Sequence, residues 1–381
     1  MIPYGCHDIQ ESDIDAVVDV LKNEFLTQGA QVPAFEQALC DYTGAKYTVA
    51  ANSGTSALHI ACLAAEIGPG DLVWTSPNSF AASANCALYC GARVDFVDID
   101  PDTRNMSISA LEEKIAHAKK QKTLPKAIVV VHFAGSSCDM KAISELTNPY
   151  GIVLIEDAAH ALGGRDAQDN NVGKCTYTDM TVLSFHPVKS ITSAEGGAVT
   201  TNSERFRQKL KLFASHGITR DPAMLNTSDA QQGWFYTQLE LGYNYRLSDL
   251  HAVLGKSQLQ RLDGYIAARR ERAKRYDHAL PSLPVKKPLM DDNSAWHLYT
   301  IELTEHSRQY VFDTLRKNGV GVNVHYIPIH LHPYYQNLGF RKGQFTNAET
   351  YYDRALSLPL YPTLSEADQQ HVITQLEQVL S

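Results

Sequence analysis

Short apolar runs bounded by turn residues alternate with longer stretches of helical periodicity through the first two-thirds of the chain. The runs are Tyr47–Ala51, Leu72–Thr75, Val94–Asp98, Ala127–His132, Ile152–Glu156, Thr181–Ser184 and Gly197–Thr201. This alternation predicts a parallel sheet with crossover helices. Ile-Val-Val-Val at 128–131 and Ile-Val-Leu-Ile at 152–155 offer no polar face, as strands covered on both sides require. A sheet of about seven strands follows. Beyond Thr201, helical patterns take over at Glu204–Ser215, Ser248–Leu262 and Gly264–Leu280. From about Ala295 the pattern is mixed: Trp296–Leu303, a helix over Ser307–Asn318, a short run Gly321–His325 and a last helix over Glu366–Leu380. The expected fold class is α/β, with a mostly parallel sheet between helices in a large domain, 1–250, and a small C-terminal α+β domain, 251–381. The first carries an N-terminal arm, and the second begins with the linking helix. Pro281–Asn293 reads as the best surface junction.

Composition narrows the class. Of 381 residues 44% are hydrophobic and 20% charged, which excludes a disordered chain. A formal charge of −8 argues against a nucleic-acid binder but leaves room for a local cationic pocket. Seven cysteines without a CxxC pair read as reduced thiols of a cytoplasmic protein, and no metal site is expected. The N-terminus has no signal-peptide pattern, and no run approaches ~18 apolar residues. Neither secretion nor membrane spanning is expected.

In open parallel sheets, ligands bind beyond the carboxyl ends of the strands. Asn52-Ser-Gly-Thr-Ser-Ala follows the first strand and opens a helix. It suits a phosphate through free N–H groups, hydroxyls and the helix dipole, or Ser53 or Thr55 merely caps the helix. Asp157 stands at the mouth of the most apolar strand, where a carboxylate needs a cation or a strong donor. Mg²⁺, a ribose hydroxyl and the protonated nitrogen of pyridoxal phosphate (PLP) are the three common partners. The glycine-rich motifs that accompany the first two are absent. Lys189 lies in the turn after Thr181–Ser184, where burial would lower its pKa and allow an imine. Phosphate turn, ring-nitrogen acid and imine lysine together match what PLP requires. Phe80, after Leu72–Thr75, stacks on a flat ring or packs in the core.

With these residues in view, the sequence resembles the sugar-nucleotide aminotransferases of the DegT/DnrJ type, within the fold type I PLP superfamily. The resemblance rests on Leu26-Thr-Gln-Gly29, Ser53-Gly-Thr-Ser-Ala-Leu58, Pro77-Asn-Ser-Phe80, Glu156-Asp-Ala-Ala-His160, Ser184-Phe-His-Pro-Val-Lys189, Glu195-Gly-Gly197 and Gly242-Tyr-Asn-Tyr-Arg-Leu-Ser-Asp249. These segments occur in the family's order, almost end to end. The resemblance implies Lys189 as the Schiff-base lysine and Asp157 as partner of the pyridinium nitrogen. It implies a phosphate site of Gly54, Thr55, Ser56 and Ser184, with Phe80 on one ring face and His160 near the ring oxygen. It further implies that Asn244 reaches the cofactor of a neighbouring subunit, hence a homodimer with shared sites. The cofactor would alternate between pyridoxal and pyridoxamine phosphate.

A finer resemblance points to the subgroup that aminates C4 of a UDP-linked 4-keto-6-deoxy-N-acetylhexosamine, in pseudaminic acid formation, with L-glutamate as donor. Pro3-Tyr-Gly5, Phe25-Leu-Thr-Gln-Gly29 and Val324-His-Tyr-Ile-Pro-Ile-His-Leu-His-Pro-Tyr-Tyr335 carry it. Tyr4, Thr27, His186, Arg220, His325 and His330 are the expected substrate contacts. Arg220 serves as a partner for the diphosphate or is a solvated surface arginine. The late histidines line the sugar-nucleotide cleft or face solvent. His186 stands where the family often has tyrosine, and Ala194 where it often has glycine. Three other readings stand beside this one: amination of a dTDP- or GDP-linked keto sugar, the dehydratase branch, which lacks the lysine, and a non-catalytic PLP-binding regulator.

Overall fold

The computed structural model describes residues 1–221, 224–225, 232–281 and 283–381; Ser282, inside the expected junction, lies outside them. Seven strands form the main sheet: β1 (Tyr47–Ala51), β2 (Leu72–Thr75), β3 (Arg93–Phe96), β4 (Ala127–Val131), β5 (Val153–Asp157), β6 (Met180–Ser184) and β7 (Gly197–Thr201), in the order β1-β7-β6-β5-β4-β2-β3. β7 runs antiparallel to both neighbours, and every other pair is parallel. Successive residues of a strand point to opposite faces, and the cores divide accordingly. Val73, Val129 and Ile155 pack against helices Gly54–Ala64 and Ala82–Tyr89, whereas Trp74, Ile128, Val130 and Leu154 pack against Ile108–Gln121 and Met140–Thr147. The all-apolar strands are therefore buried on both sides, as their composition predicts.

The third strand starts one residue earlier than its apolar run suggests and ends at Phe96. Asp157, which the sequence places just after a strand, is the last residue of β5. A two-stranded ribbon of β8 (Ile218–Thr219) and β9 (Thr237–Gln238) stands apart from the sheet. The C-terminal portion holds an antiparallel sheet of β10 (Val285–Lys286), β11 (Tyr299–Leu303) and β12 (Ala355–Leu358). Helices Arg308–Lys317 and Glu366–Leu380 share one apolar core with β11, β12 and the end of helix Leu262–Ala279. The N-terminal arm joins this core: Gly321 N donates to Ile2 O at 2.7 Å and Ile2 N to Gly319 O at 2.8 Å.

The short run Gly321–His325 makes a single bridge, between Asn323 and Ser357. The Asn323 side chain accepts the N–H of Val324 at 2.8 Å, a local bond that competes with a ladder. All seven cysteines are free thiols. Among the described residues no helix is long and apolar enough to cross a membrane, and no group of three or more His, Cys, Asp or Glu is placed to hold a metal.

Candidate active site

A cavity of 490 Å³ opens where several strands end. Ser53, Gly54 and Thr55 reach it from the end of β1, Phe80 from the loop after β2, and Asp157 and His160 from the end of β5. Ser184, His186 and Lys189 come from the end of β6. Tyr4 of the arm and Asn323–Tyr326 of the C-terminal portion close it.

The helix Gly54–Ala64 begins at the cavity, and Ser53 is its N-cap: Ser53 Oγ accepts the N–H of Ser56 at 3.0 Å and lies 2.9 Å from Ser56 Oγ. As the first two residues of the helix, Gly54 and Thr55 have no intrahelical acceptor for their N–H groups. Two glycines bring this helix start against the sheet. A Cβ on Gly197 would stand 2.6 Å from Gly54 N, and one on Gly54 would stand 3.0 Å from Ser184 Cβ. Free N–H groups, the Thr55 and Ser184 hydroxyls and the positive helix end form a cradle of phosphate size and charge.

Asp157 is buried. Its Oδ2 accepts the Ser83 hydroxyl at 2.6 Å and its Oδ1 the Ala159 N–H at 3.2 Å. The charged partner expected for it is not supplied by any described residue. A buried carboxylate held by neutral donors alone suits a cationic ligand group. Lys189 caps the tight turn after β6, its N–H bonded to His186 O at 2.9 Å, and its amine pairs with no described carboxylate. Burial pulls its pKa down to about 8, against the attraction of Asp157 and helped by the charge of Arg269.

Three imidazoles lie close by. His160 Nε2 is 3.0 Å from the Tyr326 hydroxyl, and its ring centroid is 4.3 Å from that of His297. His325 Nδ1 meets Ser357 Oγ at 2.8 Å. Burial first, and the Lys189 charge besides, hold all three below the usual histidine range; for His325 the value falls to about 4. His160 and His325 thus meet the cavity as neutral rings. Phe80 presents its ring to the cavity, 62% exposed. A planar ring with a protonated nitrogen, an aldehyde and a phosphate arm fits this set of residues, so the donor chemistry accommodates PLP.

The remaining expected contacts divide. Tyr4 and His186 line the cavity, His186 at its exposed rim. Thr27 is exposed and outside it. Arg220 lies over the Tyr236 ring at 5.7 Å and borders a different cavity, of 530 Å³, with Arg207, Lys211 and Arg246. Asn244 is exposed, and its carbonyl accepts Asn52 Nδ2 at 3.4 Å. His330 does not line the cleft. It is 0% exposed, bonded through Nε2 to Glu349 at 2.8 Å and packed against Phe96 and Phe345, because the 3₁₀ turn Ile329–Leu331 after Pro328 directs it inward.

Sequence reasoning missed Ser83, Asn323 and Tyr326. It also missed the part played by Asp249, whose carboxylate accepts Gly29 N at 2.8 Å, Gln31 N at 2.8 Å and Val32 N at 3.3 Å. This caps helix Gln31–Thr43 from a segment 218 positions away. The signal available for Tyr326 and Asp249 was their place inside the quoted segments; for Ser83 there was none.

A transaminase of Campylobacter jejuni, UDP-4-amino-4,6-dideoxy-N-acetyl-beta-L-altrosamine transaminase, is 39% identical over 386 residues, 100% of this chain and 98% of that one. Helicobacter pylori PseC, an aminotransferase involved in the biosynthesis of pseudoaminic acid, superposes with a TM-score of 0.90 at 32% identity, over 100% and 99% of the two chains. Streptococcus pneumoniae Spr1654, in its PMP form, gives 0.90 at 29% identity, over 100% and 99%. Residues 7–377 match the family described as DegT/DnrJ/EryC1/StrS aminotransferase. With these likenesses spanning the whole chain and the cavity built as described, the protein belongs to the DegT/DnrJ/EryC1/StrS family of sugar aminotransferases.

Proposed function

We propose that this aminotransferase moves an amino group from L-glutamate to C4 of a UDP-linked 4-keto-6-deoxy-N-acetylhexosamine, with PLP as cofactor and 2-oxoglutarate as second product. The observation that carries the reading is the meeting of Lys189, Asp157 and the Gly54–Thr55 cradle in one cavity. The names of the Campylobacter jejuni and Helicobacter pylori relatives support the substrate class. When bound, PLP supplies an electron sink and a temporary store for the amino group.

The chain's own residues do the rest. In this reading Gly54, Thr55, Ser56 and Ser184 anchor the phosphate, and Phe80 and His160 hold the ring. Asp157, ionised and fixed by Ser83, keeps the proton on the ring nitrogen. Lys189 Nζ, whose pKa lowered to about 8 brings the neutral amine within reach near neutral pH, takes the proton from the α-carbon of glutamate and in the reverse sense delivers one to C4 of the sugar. Tyr4, His186 and His325 line the same cavity as Lys189. Residues 1–250 carry the cofactor in this reading, and 251–381 close the cavity through Asn323–Tyr326.

A homodimer belongs to the same proposal. Phe25, Trp234 and Leu241 are exposed apolar side chains, the kind of surface that a second copy would cover. The enzyme is proposed to act in the cytoplasm. Incubation with L-glutamate and a panel of UDP-, dTDP- and GDP-linked 4-keto sugars tests the substrate, read by product mass. A UDP-4-amino sugar is expected. Amination confined to another nucleotide overturns the substrate; no amination of any sugar by protein holding its cofactor overturns the activity.

A further inference from the structure

We infer that Cys90 and Cys62 form an oxidation site, at which a hydroperoxide joins the two thiols in a reversible disulfide. The inference does not depend on the cofactor or the substrate. Neither residue lines the cavity that holds Lys189. Cys62 lies on helix Gly54–Ala64, roughly 12 Å along its axis from the end that faces the cavity. Cys90 closes helix Ala82–Tyr89, its N–H bonded to Ala87 O at 3.1 Å.

The two helices pack on each other through small residues. Ala57 and Ala61 of one and Ala82 and Ala87 of the other belong to one core together with Cys62 and Cys86, and Cys90 packs against it. Side chains this small let the helix axes approach closely. There the Cys62 thiol meets those of Cys86 and Cys90, and Cys90 also meets the ring of His59. His59 is buried, with Nδ1 3.2 Å from the Tyr245 hydroxyl and with Nε2 lacking a hydrogen-bond partner among the described residues. Tyr89, Tyr243 and Tyr245 surround that ring. Among the described residues no such group is placed to hold a metal, which leaves the chemistry of the thiols themselves.

The three thiols are not equivalent. Cys62 and Cys86 are buried whereas Cys90 is half-buried, so an oxidant reaches Cys90 first. The Cys62 thiol, and after it His59, draw the Cys90 thiol below its usual range against the effect of burial. The thiolate is the form that attacks. Cys62 is pushed the other way by Cys86, by Cys90 and by burial, and keeps its proton. Cys86 is engaged elsewhere, its Sγ donating to Ser83 O at 3.3 Å. The unpartnered Nε2 of His59 is an acceptor for the proton that Cys90 gives up. In the first step the Cys90 sulfur attacks one peroxide oxygen and loses two electrons; the O–O bond breaks, hydroxide or alkoxide leaves, and a sulfenic acid remains. In the second the Cys62 sulfur displaces that hydroxyl. The S–S bond forms, the S–O bond breaks, and water departs with the Cys62 proton.

The test is peptide mapping of the cofactor-loaded protein after hydrogen peroxide at about pH 7, without reductant. A peptide pair joined through Cys62 and Cys90 is expected, and dithiothreitol should separate it. Iodoacetamide should modify Cys90 roughly tenfold faster than Cys40, which is half-buried too but whose thiol burial pushes up. Cys62→Ser should leave Cys90 as a sulfenic acid that dimedone tags, and His59→Gln should slow the alkylation of Cys90 roughly tenfold. Peroxide that leaves Cys90 reduced, or that joins another pair, overturns the inference. So does alkylation of Cys40 ahead of Cys90. An unchanged rate in His59→Gln overturns the part given to the imidazole. Mapping and alkylation of the unaltered protein decide the inference where a variant does not fold.

Discussion

Ser83 Oγ donates to Asp157 Oδ2 at 2.6 Å, and Ser79 Oγ stands 2.6 Å behind Ser83. A line of neutral hydroxyls thus carries a buried carboxylate that no described cation touches. Ser83→Ala should slow the glutamate half-reaction by roughly tenfold, the worth of one hydrogen bond to a charge, with the cofactor retained. Asp157→Asn, which removes the charge itself, should slow it by roughly 10²–10⁴-fold. Single-turnover rates with L-glutamate measure both; an Asn variant as fast as the unaltered enzyme would show that the carboxylate has no electronic part.

Lys189 titrates from a lowered position, about 8, because burial disfavours its charge. The neutral amine is the reactive form, so condensation of cofactor-free protein with unphosphorylated pyridoxal should accelerate with pH and level off above about 8. A profile still climbing at about pH 10, as for an ordinary lysine, would contradict the burial. Stability has a matching sign. The unfolded chain binds the lysine proton more tightly than the folded one, so this group's contribution is complete above the ordinary lysine pKa and lost as pH falls toward 8. Lys189→Ala should abolish both half-reactions and leave no site for borohydride to tag.

Gly197 admits the start of helix Gly54–Ala64, since an added Cβ would stand 2.6 Å from Gly54 N and from Ser53 C and O. Gly197→Ala should cost about 1–3 kcal/mol through overpacking and weaken phosphate anchoring with it. Urea unfolding and cofactor titration read the two effects. Tight cofactor binding in a fully stable Gly197→Ala protein would mean that the close approach is not needed.

Arg104 and Glu302 form a buried ion pair between the turn after β3 and strand β11, with Nη2–Oε1 at 2.7 Å and side chains 3% and 7% exposed. Arg104→Met leaves a buried carboxylate alone and should cost about 3–5 kcal/mol. Adding Glu302→Leu should recover most of that loss in urea unfolding. A single variant as stable as the parent would place the pair in solvent.

His330 is held by Glu349, whose carboxylate also accepts Gly343 N at 2.8 Å. His330→Gln should lower stability by about 1–3 kcal/mol, the range for a disturbed buried hydrogen bond, and leave KM for the keto sugar unchanged. A raised KM at unchanged stability would return this residue to the substrate cleft.

Much of the frame was legible before any coordinates. The apolar runs with no polar face appear as β4, buried at every position, and as β5, buried from Leu154 onward. The turns after Tyr47–Ala51, Ile152–Glu156 and Thr181–Ser184 pointed at Thr55, Asp157 and Lys189, which do share one cavity. Less legible were the sheet order, in which β7 inserts between β1 and β6, and the antiparallel sense of β7. An apolar run carries no mark of its direction or its neighbour.

The linear pattern by itself determined which stretches must be buried, which turns end strands, and which residue types stand at those ends, because periodicity and turn chemistry act between near neighbours. Tertiary structure alone decided that Ser83 meets Asp157, that Tyr326 meets His160 across 166 positions, and that His330 turns inward while His325 faces the cavity. These are outcomes of packing between distant segments, where one rotation about a turn moves a side chain from solvent to core and no local rule records it.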